Sequence, residues 1–135
     1  ALRALAEQYP GDLLVLPADV GNEEQMRSVA LASRDFLGEI DAVCNVAGVL
    51  LSGDRTLPLH QCDTGELRRT LDVNTVGPVI VAKCFYPHMP KGARLFTVTS
   101  EGVAIGSCGT WVPCYALSKA AATKAAGVKA TIQSR

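Results

Sequence analysis

Short, largely apolar runs alternate along this chain with stretches of helical period, and that alternation constrains its fold more than any other feature. Residues 13–16 read Leu-Leu-Val-Leu, and further apolar runs lie at residues 40–44 and 93–99. A strand with one wet face alternates apolar and polar residues, whereas a strand covered on both faces reads as a continuous apolar run. Strands of the second kind separated by helices predict a doubly wound, parallel α/β sheet. Ligands of such sheets sit at the carboxyl ends of the strands. The sequence places Asp19-Val20, Asn45-Val46-Ala47-Gly48 and Ser100 at those ends.

The helices carry their own punctuation. Residues 1–9 read as the tail of a helix with Leu2, Leu5 and Ala6 on one side, stopped by Pro10-Gly11. Asn22 with Gln25 three positions on is a capping-box start for a helix to about residue 36, with Met26, Val29, Ala30 and Leu37 as its apolar positions and Gly38 as its stop. Asp63 with Glu66 opens the next helix, whose apolar face is expected at Leu67, Leu71, Val79 and Phe85 and whose end is expected at residues 87–90. Residues 49–62 and the Gly-rich stretch 100–113 read as loops, and an Ala-rich helix runs from about Tyr115 onward.

With 48% hydrophobic and 19% charged residues, the 135-residue chain has the make-up of one globular domain. Thirteen basic and thirteen acidic residues cancel, and no basic run or aromatic-interleaved patch is present, which argues against a nucleic-acid or anionic-membrane partner. No 18-residue apolar stretch and no basic-then-apolar leader is found. Five cysteines, odd in number and without CxxC spacing, fit reduced thiols and a cytoplasmic setting. His60 and His88 lack metal-ligand spacing, so no metal site is expected.

Tyr115 and Lys119, four positions apart, project from one helix face. A phenol is a feeble base near neutrality, and an adjacent ammonium favours the phenolate. Four-residue Tyr–Lys spacings also arise by chance, so the rest of the chain decides. Upstream, Ser100 ends a strand, where its hydroxyl can hydrogen-bond a substrate carbonyl. Asn45-Val46-Ala47-Gly48 ends another, where Ala47 and Gly48 admit a flat ligand close to the backbone. Asn74 lies within the long middle helix, and Pro78, lacking an N–H, leaves the Asn74 carbonyl without its α-helical donor.

These elements, in this order, resemble the short-chain dehydrogenase/reductase family over the whole chain, and as a set they are specific. The resemblance implies an NAD(P)-binding, Rossmann-like domain over residues 1–135, incomplete because the Gly-rich turn after the first strand is absent. It implies an oxidoreductase that moves a hydride between NAD or NADP and a small carbonyl or alcohol substrate. Tyr115 would be the acid/base, Lys119 would lower its pKa and hold the nicotinamide ribose, Ser100 would position the carbonyl, and Asn74 would hold a relay water through its main-chain carbonyl. Asp19 and Val20 would contact the adenine, and Asn45, Ala47 and Gly48 would line the cofactor cleft.

The same resemblance implies a homo-oligomer when full length, with Val79, Val81 and Phe85 available to a partner or to the core. Under the family strand order 3-2-1-4-5-6-7, residues 13–16 are strand three and residues 40–44 strand four, so the former is expected to find no sheet partner within this chain. The isolated segment is therefore expected to fold poorly. Two positions depart from the family pattern: Val46 replaces a second asparagine, and Ser100 lies two positions before the usual serine site, which is Gly102 here. Ser107 is the fallback serine, and Trp111 is either a pocket cover or loop packing. Cys114 reads as a packed thiol and not a nucleophile. A non-enzymatic reading also stands: a truncated or degenerate relative without turnover, serving as a binding or regulatory protein.

Overall fold

The computed structural model describes residues 2–100 and 112–128. In order, it contains α1 (Leu2–Gln8), α2 (Glu23–Leu37), β1 (Ala42–Asn45), α3 (Thr64–Leu71), a π-helical turn at Asp72–Val76, α4 (Gly77–Phe85), β2 (Arg94–Thr97) and α5 (Pro113–Val128). Short 3-10 turns lie at Gly53–Arg55, Leu59–Gln61 and Tyr86–His88. β1 and β2 pair in parallel, Ala42 opposite Arg94 through Asn45 opposite Thr97. These are the neighbours that the expected strand order requires for strands four and five.

The core forms where one face of this sheet meets α2 and α4. Val43 and Ile40 pack with Met26, Ala30, Val81 and Cys84, and Leu95 closes the cluster. Val81 therefore serves the core of the chain itself, while Val79 is 49% exposed. The opposite sheet face is more open, with Phe96 48% exposed.

Residues 13–16 join no ladder: the sheet of the described residues has the order β1-β2. A strand's backbone groups need a neighbour at sheet spacing, and the apolar run has none. Leu37, expected on the buried side of α2, is 59% exposed. The face expected for the middle helix is also displaced. Its buried residues are Thr70, Asn74, Gly77, Val81 and Cys84, a helical stripe that begins with polar and small side chains. Hydropathy assigns such residues to solvent, whereas here α5, the Val49 loop and Val20 cover them.

Both capping boxes form in half. Asn22 Oδ1 accepts the Gln25 N–H at 3.0 Å, but the Gln25 side chain turns to the Asp19 N–H at 2.8 Å instead of returning to its own cap. Asp63 accepts from the Gly65 N–H, one residue earlier than a capping box uses. Gly38 stops α2 at φ 80°, donating its N–H to the Arg34 carbonyl. Asn22→Ala should cost about 1 kcal/mol, seen as a small drop in the denaturation midpoint with an unchanged slope.

Candidate active site

The sheet ends and the two long helical segments bring Tyr115, Lys119, Asn74, Asn45 and Gly48 into one region. Lys119 lies one turn after Tyr115 on α5, and its Nζ sits 5.8 Å from the centre of the Tyr115 ring. The Lys119 side chain is buried, and its ammonium donates to the Val98 carbonyl at 2.9 Å. Val98 in turn donates its N–H to the Asn45 carbonyl at 2.9 Å, so the anchor of the lysine is tied to the end of β1. Asn45 adds a side-chain bond from Nδ2 to Thr97 Oγ1 at 3.2 Å, clasping the two strands where they end.

Burial holds the Lys119 pKa below its ordinary value.

Gly48 lies against the Lys119 and Asn74 side chains. A Cβ built there would lie 3.3 Å from Lys119 Nζ and 3.5 Å from Asn74 Oδ1. A side chain at this position would crowd the ammonium. Val46 and Ala47 are exposed, Val46 at 65%.

Asn74 is wholly buried and uses its amide structurally. Oδ1 accepts the Val49 N–H at 2.8 Å, while Nδ2 donates to the Val49 carbonyl and to Ser118 Oγ, each at 2.9 Å. Ser118 passes its own proton to the Tyr115 carbonyl at 2.7 Å, and Thr75 Oγ1 donates to the Ser118 carbonyl at 2.8 Å. The bent helix is thus laced to the turn that carries Tyr115 and Lys119. Both amide protons of Asn74 are taken by the fold. The backbone there is a π-helical turn in which the Gly77 N–H reaches the Asp72 carbonyl, followed by Pro78, which has no proton for Asn74. The sequence implied a kinked α-helix here; the structure resolves the bend into this wider turn.

Ser100 stands three residues beyond β2, half-buried. Asp19 and Val20 have structural work of their own. The exposed Asp19 carboxylate accepts the Gly21 N–H at 2.9 Å. Val20 packs so closely on α4 that a Cβ at Gly77 would approach its Cγ2 to 2.9 Å. Ser107, Trp111, Gly102, Glu101 and Cys108 lie outside the described residues.

Sequence reasoning passed over Ser118, Thr75, Val49 and Asp54. The signal for Asp54 was the start of α5, where the residue immediately before Pro113 is Val112, with no side-chain oxygen to cap the helix. Cys114 is buried at that start, and burial together with the adjacent Asp54 carboxylate pushes its thiol up to about 12, so it is a packed thiol with no thiolate to offer. Among the described residues no group of His, Cys, Asp and Glu could hold a metal, and no helix is long and apolar enough to cross a membrane.

A two-layer remnant of a parallel sheet with a Tyr–Lys pair, a bent Asn-bearing helix and a Gly at the strand end defines a class, and the comparisons agree. The family described as Enoyl-(acyl carrier protein) reductase matches residues 1–131. The chain belongs to the short-chain dehydrogenase/reductase family of oxidoreductases. It is 32% identical over 103 residues to 1-deoxy-11-beta-hydroxypentalenate dehydrogenase of Streptomyces exfoliatus, an alignment covering 76% of this chain and 37% of that protein. A short-chain dehydrogenase/reductase of Saccharomyces cerevisiae superposes with a TM-score of 0.83 at 22% identity, over 96% of this chain and 50% of that one. A short-chain dehydrogenase of Burkholderia cenocepacia, solved in complex with NADP, gives 0.75 at 22% identity, over 87% and 46%. The chain thus spans half or less of the length of these relatives.

Proposed function

We propose that the complete protein is an NAD- or NADP-dependent oxidoreductase acting on a small carbonyl/alcohol pair, with Tyr115 as its general acid and base. The observation that carries this reading is the buried Lys119 ammonium beside the Tyr115 ring, which no side chain at Gly48 crowds. The residues fit a nicotinamide dinucleotide: of the three ammonium protons of Lys119 one is bonded to Val98, and Gly48 leaves the ammonium uncrowded for a ribose hydroxyl. When bound, that cofactor supplies or accepts the hydride.

The rest falls to the chain. Tyr115 gives its proton to the substrate oxygen during reduction and takes it back during oxidation. Lys119 favours the phenolate form and holds the ribose, Ser100 orients the carbonyl, and the Asn74 main chain holds a water that resupplies the proton. Asn45, Ala47 and Gly48 line the cofactor cleft, and Asp19 and Val20 sit at the adenine end. The NADP in the Burkholderia cenocepacia structure supports a dinucleotide of this kind without choosing between NAD and NADP. The unpaired Cys44, Cys62, Cys84 and Cys114 fit a cytoplasmic setting, and exposed Val76, Val79 and Leu117 fit assembly with a second copy.

Titration of the complete protein with NADH and NADPH, followed by nicotinamide fluorescence, should give saturable binding of at least one, and turnover with a panel of aldehydes and ketones. Binding without turnover across the panel would favour the regulatory relative.

A further inference from the structure

The chemistry proposed for Tyr115 leaves one buried charge unused. Asp54 is 4% exposed and lies in the loop after β1, sixty positions before α5. Its carboxylate makes no ion pair among the described residues. A bare carboxylate in such a place is costly unless hydrogen-bonded, and among the described residues it takes two backbone amides beside the Cys114 thiol. Oδ1 accepts the Cys114 N–H at 2.7 Å and Oδ2 the Tyr115 N–H at 2.8 Å.

Those two amides belong to the first turn of α5, where an ordinary helix is capped by the residue just before it. Here that residue is Val112, whose carbonyl receives the Ala116 N–H but whose side chain holds no oxygen. Val112 also has φ 52°, in the left-handed region that a β-branched residue rarely enters. Pro113 follows and has no N–H. The first donors of the helix are therefore Cys114 and Tyr115, and Asp54 receives both. The bonds are short, as charge-assisted ones are, and an anion at a helix amino terminus is also favoured by the aligned peptide dipoles.

The loop is built to deliver this carboxylate. Thr56 and Leu57 both donate their N–H groups to the Gly53 carbonyl, closing a tight turn around Asp54. Gly53 lies against the Glu66 carboxylate of α3, the far end of a flexible side chain.

We propose that Asp54 is a positioning residue for Tyr115, capping the catalytic helix from a distant loop and fixing the turn from which the phenol projects. This rests on the assignment of Tyr115 as the acid/base. Lys119, one turn deeper, has its own anchors in Val98 and the Ser118 network, so loss of Asp54 should loosen the tyrosine before the lysine.

The test compares Asp54→Asn and Asp54→Ala with the parent in the complete protein, reading kcat, the Kd of the reduced cofactor, and amide hydrogen exchange by NMR. Asp54→Asn keeps the shape but turns an amide N–H toward one of the two donors, which guards against simple misfolding. The expected result is a kcat lower by about tenfold or more, a Kd within about threefold of the parent, and faster exchange at Cys114 and Tyr115 with exchange at Lys119 and Ala122 held. Exchange at Cys114 and Tyr115 unchanged in both variants would overturn the proposal, as would kcat and cofactor affinity falling together. Tyr115→Phe run in parallel separates the two ideas: normal turnover there removes the acid/base reading, while the exchange data still judge the cap.

Discussion

Tyr115→Phe in the complete protein is expected to lower kcat by about 10²–10⁴-fold, the range that a positioned proton donor supplies. The affinity for the reduced cofactor should hardly move. The ring stays, so its contact with Lys119 stays. Lys119→Met should behave differently, losing both turnover and cofactor affinity, because the proposed mechanism gives the same ammonium to the phenol and the ribose. Measuring kcat and Kd for the two variants side by side therefore separates the two roles. Equal losses in both constants for Tyr115→Phe would count against the assignment.

Lys119 also gives this comparison a signed pH dependence. Its folded pKa lies below the unfolded value of 10.5 because the ammonium is desolvated. Between the two values the unfolded chain holds more protons than the folded one, so stability rises with pH through that window. Below the folded pKa the penalty is present in full. Relative to the parent, Lys119→Met should gain its largest thermal advantage at neutral pH and lose it as pH approaches 10.5. Parallel melting curves across that range would show whether the difference closes.

The second large effect is expected on stability. Asn74→Leu has a side chain of similar size but removes three hydrogen bonds at a wholly buried position. It leaves the Val49 N–H and carbonyl and the Ser118 hydroxyl short of partners. Unmet polar groups of this kind cost about 1–3 kcal/mol each, so a total near 3–5 kcal/mol follows once relaxation is allowed. Chemical denaturation of the complete protein would measure it, and a change below about 1 kcal/mol would mean that the Val49 loop repacks without its clasp. Activity should fall as well, since the loop that Asn74 holds continues from Gly48.

What was legible in the sequence shares a physical character: each feature depended on residues near one another in the chain. The stops and starts of α2 followed from Asn22 and Gly38, because a helix end is satisfied by groups within a few positions. Tyr115 and Lys119 were legible because helical spacing alone puts them on one face. The unpaired state of residues 13–16 is the exception, since it followed from the strand order that the family resemblance implies and not from local spacing. Even the bend at Asn74 was signalled by the missing N–H of Pro78, though not its π-helical form.

The tertiary structure decided what depends on distant partners. Thr70 and Asn74 lay outside the apolar face expected for the middle helix, yet the packing of α5 helps to bury them and makes the inner face of the helix polar. Gln25 was expected to cap its own helix and instead reaches Asp19. Asp54 carried no signal within its own turn, and its role exists only because the fold brings a loop sixty residues upstream to the start of α5. The sequence by itself determined the alternation of strands and helices and the Tyr–Lys pair, which local backbone geometry dictates. Only the packed chain determined which buried groups satisfy one another, because a buried hydrogen bond is made by whichever partner the fold delivers.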